Sequence, residues 1–499
     1  MKKRYILSMI LLAFVSVSCD KWLDVKPELD IYEETLFEKT QGYYVALNGL
    51  YIDIAQAELY GQELSWGAIE AWGRSYTLHE TGHKGYNQIM KFEYDQSEAK
   101  SIGASIWLSC YKVIAEANNL IQNLEQDKEI KFKYGDVTKN MILAEAYAIR
   151  AMMHFELVRI YAKAPIDDEG GVSSFVPYVT EYPSRLNLPI PTKELLQHLI
   201  ADLEKAKEWV KPFDTDPEYP GYISYQYGTL GVRIKLDDGV GYSPQADDEF
   251  FRYRANRLSY FPITQLLARV CLYAGEKDKA YENANEIVTM AERKTTYNFV
   301  APGYIGDPMT LTTVEPRLQT EMLFGSYNAK LSDLTEKYFG AKAGNYTLKV
   351  NDKVNIFSTN PNDVRLAAMP RDIITKYSLV GKVQDNMVAA KSLIPVLRFP
   401  ECYYIAAESI FDKDKARAIE LFNKVVEARN NAVYDLDMNV DKADFMEAIV
   451  REYRREFIGE GQMVYVYKRL NLPLRENGTT VPHDGKLVMP IPDSEAGLQ

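Results

Sequence analysis

The sequence predicts a mostly α-helical protein, a scaffold of paired helices interrupted by long, irregular, aromatic-rich insertions. Three observations carry this reading. Apolar residues recur at helical spacing in several separate stretches. Two later helix pairs resemble each other around short turns. Three long segments lack helical periodicity yet are rich in Gly, Pro, Asn, Tyr and Trp.

The chain opens with Lys2, Lys3 and Arg4, then an apolar run to Val17, then Ser18 and Cys19. Basic, apolar and small residues in that order are the layout of a secretory signal, here residues 1–18. The apolar run of about 13 residues reaches only about 20 Å as a helix, short of the ~30 Å hydrocarbon core. Cleavage is therefore expected rather than spanning. Ser16-Val17-Ser18-Cys19 resembles a bacterial lipobox, which makes Cys19 the expected site of lipid attachment. Stable anchoring needs more than one acyl chain, which a diacylglycerol plus an N-acyl group supplies. No later stretch is apolar for about 18 residues.

Removing Lys2, Lys3 and Arg4 takes the net charge from −12 to −15. So acidic a body argues against nucleic acid and against a polybasic membrane patch. Besides Cys19 there are Cys110, Cys271 and Cys402, each in an apolar helical stretch and without close spacing. They read as small core residues, not as a disulfide framework or metal site. Tyrosine is abundant, 36 against 19 Phe.

In chain order, Tyr43, Ala46, Leu47, Leu50, Tyr51 and Ile54 give a first helix within Gly42–Leu59. Ile106, Trp107, Cys110, Tyr111, Ile114 and Ile121 give a second, from about Ser101 to Leu124. A third runs from Met141 to Tyr161 and stops before Pro165. His154 lies within it and reads as a packed residue. Thr192 is the expected cap of a fourth, ending near Val210. Two pairs follow: Ile263–Ala274 with Asp278–Ala291 around Gly275, and Arg398–Ile410 with Lys415–Arg429 around Asp412. Leu267 to Gly275, followed by Ala280, resembles a tetratricopeptide repeat. The repeats are uneven, so a helical scaffold with insertions fits better than a regular solenoid. The insertions are Gly61–Asp95, Asp214–Glu249 and Tyr297–Gln384.

His79-Glu80-Thr81-Gly82-His83 matches the H-E-x-x-H string of zinc hydrolases. That chemistry needs two imidazoles one helical turn apart and a glutamate beside zinc-bound water. Gly82, Gly85, Thr77 and Thr81 are poor helix formers, and no third histidine follows, so a polar loop is the stronger expectation. Zinc hydrolysis through His79, Glu80 and His83 stands as the alternative from another class. Asp167-Asp168 and Asp247-Asp248 read as solvated loop acids. No nucleophile elbow, phosphate-binding loop or dinucleotide fingerprint is present. No catalyst, metal or cofactor is expected.

The first insertion places Trp66, Trp72, Arg74, Tyr76, Tyr86 and Asn87 close together. Flat rings beside amide and guanidinium donors suit sugar rings, whose C–H faces stack while their hydroxyls bond to the donors. These six are the expected ligand-binding residues. Packing of the insertion onto the scaffold would use the same rings.

Several phrases resemble the SusD/RagB family of outer-membrane lipoproteins over nearly the whole chain. They are Cys19-Asp20-Lys21-Trp22-Leu23-Asp24, Ala46-Leu47-Asn48-Gly49-Leu50-Tyr51, Arg150 to Tyr161, Pro395 to Glu408, Arg454-Arg455-Glu456-Phe457-Ile458-Gly459-Glu460-Gly461 and Met489-Pro490-Ile491-Pro492. After Gly461 the family's usual Arg, aromatic pair and Asp-Leu give way to Met463-Val464-Tyr465-Val466-Tyr467, a departure at packing positions. The resemblance implies an N-terminal region to residue 300 and a C-terminal region from 301 to 499. It also implies a non-catalytic body, lipid-anchored on the outer face of the outer membrane. Such a body captures oligosaccharides, in some members peptides, for a TonB-dependent transporter of the SusC type.

Overall fold

The computed structural model describes residues 35–169, 171–221, 249–252, 254–292, 299–306, 317–340, 342–357, 362–377, 392–430 and 435–496. The expected signal segment, Cys19 and most of the Asp214–Glu249 insertion lie outside them.

Among the described residues, and apart from four one-turn α-helices, the α-helices are α1 (Thr40–Ile54), the short α2 (Ala68–Trp72) and α3 (Lys84–Met90), then the long α4 (Ser97–Gln126), α5 (Asp136–Tyr161) and α6 (Thr192–Thr215). They continue with α7 (Tyr260–Ala274), α8 (Lys277–Glu292), α9 (Leu331–Phe339), α10 (Pro400–Ile410), α11 (Lys415–Ala428), α12 (Lys442–Glu456) and α13 (Met463–Leu470). From α4 to α8 each helix packs on the next, α8 then packs on α10, and α10 on α11. That row is the helical-repeat scaffold the paired pattern predicts. Gly275 ends α7 at φ 83°, a left-handed cap that glycine adopts without a Cβ clash. Thr192 departs from expectation. It is the first helical residue rather than a cap, and its Oγ1 donates to the Ser173 carbonyl at 3.0 Å.

Every residue of α5 from Met141 to Tyr161 is buried. A helix enclosed on all sides must pair the charges it carries. Arg150 grips Asp202 at 2.8 Å, Glu156 pairs with Arg159, and Glu145 holds both Arg254 and Arg257. The three helical cysteines are free and buried, as expected for small core residues. Asp168 departs from its reading as a solvated acid: it is buried, accepting from the Ser173 amide and hydroxyl.

The strands are short and antiparallel. They are β1 (Tyr76–Thr77), β2 (Ser174–Pro177), β3 (Pro189–Pro191), β4 (Met322–Tyr327), β5 (Lys349–Val350), β6 (Leu393–Arg398), β7 (Leu474–Glu476) and β8 (Thr479–Val481). β4 pairs with β6 and packs on α7, while β1 pairs with β5, Tyr76 opposite Val350. That second pairing ties the first insertion to the later one. β7 and β8 form a hairpin through Asn477 and Gly478, both at positive φ, as a two-residue turn of this twist requires. One apolar core takes in residues on both sides of position 300, from Tyr43 to Met489. The departing positions Met463 to Tyr467 are buried within it.

Candidate ligand-binding surface

The insertion of residues 61–95 is built from tight turns that fold its rings inward. Trp66 is fully buried against Tyr338, Phe339 and Tyr377, and its indole N–H donates to the Gly61 carbonyl at 3.1 Å. Trp72 is fully buried on α2, donating to the Tyr94 hydroxyl at 2.9 Å. Arg74 adopts φ 60° after Gly73. Its guanidinium pairs with Glu476, donates to the Met90 carbonyl at 2.8 Å and lies over Phe92. Tyr76 is buried in β1. Tyr86 accepts from the Gln62 amide at 2.9 Å, and the Asn87 amide donates to the carbonyls of His79 and His83 at 3.0 Å each.

The six expected binding residues are therefore gathered into one region, but all are buried there. Rings of this size lower the free energy most when removed from water, and here the scaffold and the third insertion supply the cover. As the fold stands, all six lie beneath the solvent-facing layer of this region.

The H-E-x-x-H string is also corrected. His79 to His83 is a turn preceding α3, not part of a helix. His83 Nδ1 accepts from the His79 amide at 3.1 Å, and its Nε2 faces the Tyr346 carbonyl at 2.8 Å, to which it can only donate. No ring lone pair remains for a metal. Burial pushes the His83 imidazole below its ordinary value, so the neutral form fits this pattern. Among the described residues no three histidine, cysteine or acidic side chains converge to hold a metal ion.

What reaches solvent is shared between the third insertion, Tyr297–Gln384, and the turn at residues 79–81. Tyr338, on α9, lies near-parallel to His83 and Tyr86, with ring centroids 6.3 and 6.5 Å away. Tyr346 stands perpendicular to Tyr338 at 6.5 Å and is 44% exposed. The Lys337 ammonium lies 5.1 Å from the Tyr338 ring and 4.9 Å from that of Tyr346. His79, Glu80, Thr81 and Asn345 are exposed beside them. Below, Glu63 accepts from the Ala68 amide and the Gln62 side chain at 2.9 Å each, and burial raises its carboxyl to about 7. An exposed ring backed by packed rings and flanked by a cation and amides can stack on a flat, hydroxylated ligand. Spacing in the sequence does not distinguish Tyr338 and Tyr346 from the chain's other tyrosines. The available signal is a tyrosine two residues from each of Gly340 and Gly344.

The fold and this surface together define a helical-repeat protein whose insertions build one aromatic face. Comparisons give the family. Residues 21–213 match the family described as "Starch-binding associating with outer membrane", and residues 309–487 match the SusD family. The chain belongs to the SusD/RagB family. It is similar to SusD-like protein P2 of Formosa agariphila, 26% identical over 211 residues, which cover 42% of this chain and 38% of that one. SusD-like protein P25 of the same organism is 27% identical over 176 residues, 34% of this chain and 32% of that one. The matched stretch thus spans about a third of each relative's length. A SusD superfamily protein of Bacteroides fragilis shares the fold with a TM-score of 0.68 at 20% identity, over 93% of this chain and 99% of that one. Surface glycan-binding protein A of Bacteroides thetaiotaomicron shares it with a TM-score of 0.63 at 14% identity, over 93% and 98%. Among the described residues no helix is long and apolar enough to cross a membrane.

Proposed function

We propose that this chain is a non-catalytic lipoprotein of the outer-membrane surface that captures oligosaccharides and delivers them to a TonB-dependent transporter of the SusC type. Cys19 carries the lipid. The bound sugar stacks on Tyr346 and contacts Tyr338, while Lys337, Asn345 and His79 meet its hydroxyls. Trp66, Trp72, Arg74, Tyr76, Tyr86 and Asn87 hold that layer in place. The observation that carries this reading is the half-exposed Tyr346 ring set edge-on against Tyr338, which itself lies near-parallel to His83 and Tyr86. It occurs in a chain whose N-terminal half matches a family described as starch-binding, and whose fold neighbour is a surface glycan-binding protein.

The test is titration of the purified protein against a panel of neutral oligosaccharides and short peptides. At least one oligosaccharide binds, and Tyr346→Ala weakens it at least about tenfold, a loss of about 1.4 kcal/mol, with an unchanged circular dichroism spectrum. Binding by peptides alone would overturn the substrate class. Unchanged affinity in Tyr346→Ala would overturn the site.

A further inference from the structure

A cavity of about 470 Å³ opens where the chain after α5 meets α13 and the segment after β8. It falls within the size range of small-molecule sites, about 300–1,000 Å³. Lys163 and Asp167 come from the first segment, Lys468 and Asn471 from α13 and its end, and His483 and Leu487 from the last. None of them belongs to the tyrosine face.

Lys468 sets the chemistry of this cavity. Its side chain is only 1% exposed although it lines the wall. Its ammonium donates to the Arg159 carbonyl at 2.7 Å, one of the last-turn carbonyls of α5 that lack an intrahelical donor. The Trp72 ring lies 5.9 Å away. An ammonium has three donors, and the Arg159 carbonyl takes one. Burial removes bulk water from the other two, so the cavity is where they can be met.

The surrounding charges narrow the partner. Asp167 attracts the ammonium and Arg159 repels it. Lys163 and Asp484 stand exposed at the rim, and His483 is buried, its imidazole lowered by that burial. The lining sets two lysines against two aspartates, so it lacks the excess positive charge a dianion needs, whereas a single planar carboxylate offers two acceptors to the two remaining donors. Leu487 and Ala164 add apolar wall for the rest of such a ligand.

We propose that this cavity is a second binding site, which takes the carboxylate of an acidic ligand with the Lys468 ammonium as its counter-charge. The carboxylate belongs to an acidic sugar residue or to a peptide C-terminus, and the test separates them. Burial lowers the Lys468 ammonium to about 7, so it is part-neutral in the free protein near neutral pH. An entering carboxylate favours the charged form, and binding is accompanied by proton uptake.

Calorimetric titrations use four probes: a galacturonate oligomer, its neutral galactose counterpart, a short peptide with a free C-terminus, and the same peptide amidated. At least one carboxylate probe binds about tenfold or more tighter than its neutral partner. Its binding takes up a fraction of a proton at about pH 7 and weakens about tenfold by about pH 9. Lys468→Met loses this binding and keeps that of neutral oligosaccharide at the tyrosine face. Equal binding of charged and neutral partners, binding without proton uptake, or no binding by either carboxylate probe would overturn the site. Proton uptake is read on the unaltered protein, so the outcome does not depend on the variant folding.

Discussion

Along α5 the scaffold buries Glu145, Arg150, Glu156 and Arg159; within residues 61–95 the insertion buries Trp66, Trp72, Tyr76 and Tyr86. Both regions are enclosed, but different forces hold them. The scaffold repeats are pinned to each other and to the C-terminal segments by paired charges with fixed geometry. Glu456 shows this most fully: Arg398 reaches it at 2.7 Å, Arg429 at 2.8 Å and Arg365 at 3.1 Å. Burial alone would raise its carboxyl, but Arg429 and Arg398 outweigh burial and hold it well below the ordinary carboxylate range. The insertion is held chiefly by ring area, with the Arg74–Glu476 pair tying it to β7. The contrast teaches that helical charge need not mean surface, nor loop aromatics a ligand.

The largest expected effect breaks the charged half of that contrast. Glu456→Ala leaves three buried guanidinium groups short of an acceptor, and removing one partner of a buried pair costs about 3–5 kcal/mol. A loss near the upper end, read by urea denaturation, fits the three partners. A loss below about 1 kcal/mol would mean that the network contributes little to stability.

The aromatic half is tested by Trp66→Ala. A core indole truncated to a methyl costs about 3–5 kcal/mol through lost burial and a residual cavity. We expect about 4 kcal/mol, with oligosaccharide affinity reduced only as far as the tyrosine layer loosens. Loss of binding at undiminished stability would return Trp66 to the contact layer.

This contrast also marks where the sequence stopped being legible. The helices were readable because burial on one side imposes a 3.6-residue period, which α1, α4 and α8 retain. The helix-turn-helix of α7 and α8 was readable through Gly275, whose left-handed backbone demands it. The inward direction of Trp66 and Trp72 was not, because a loop has no period to orient its side chains. The cover of Trp66 comes from Tyr338, Phe339 and Tyr377, more than 250 residues onward. The same distance hid Tyr346 as the exposed ring. Lys468 was equally silent, since its burial depends on the end of α5.

A smaller effect concerns acid. His154 is fully buried, its Nδ1 donating to the Arg150 carbonyl at 2.9 Å and its Nε2 accepting from the Val179 amide at 3.0 Å. Burial, the largest cause, lowers its imidazole to about 3. The unfolded chain therefore takes up a proton below about pH 6.5 that the folded protein refuses down to about pH 3. This group's contribution is present above that window and lost as pH falls through it. Thermal unfolding between about pH 7 and about pH 4.5 should fall less steeply for His154→Gln than for the parent protein. Parallel curves would remove His154 as a source of acid sensitivity.

The smallest effect on stability should come from the exposed ring of the proposed binding face. Tyr346→Phe keeps the ring, and its backbone carbonyl, the acceptor for His83 Nε2, is untouched. At 44% exposure, loss of the hydroxyl should shift stability by no more than about 0.5 kcal/mol. Ligand affinity then separates two kinds of contact. If the sugar stacks on the ring face, the Tyr346→Phe variant binds within about threefold of the parent, because stacking uses the face both side chains share. If the phenolic hydroxyl supplies the main contact, affinity drops by about tenfold, the worth of one well-placed hydrogen bond. We expect the first result, because the Lys337 ammonium already lies 4.9 Å from the Tyr346 ring and can meet hydroxyls beside it. A tenfold loss in Tyr346→Phe would make this tyrosine a hydrogen-bonding residue and shift the stacking role to Tyr338.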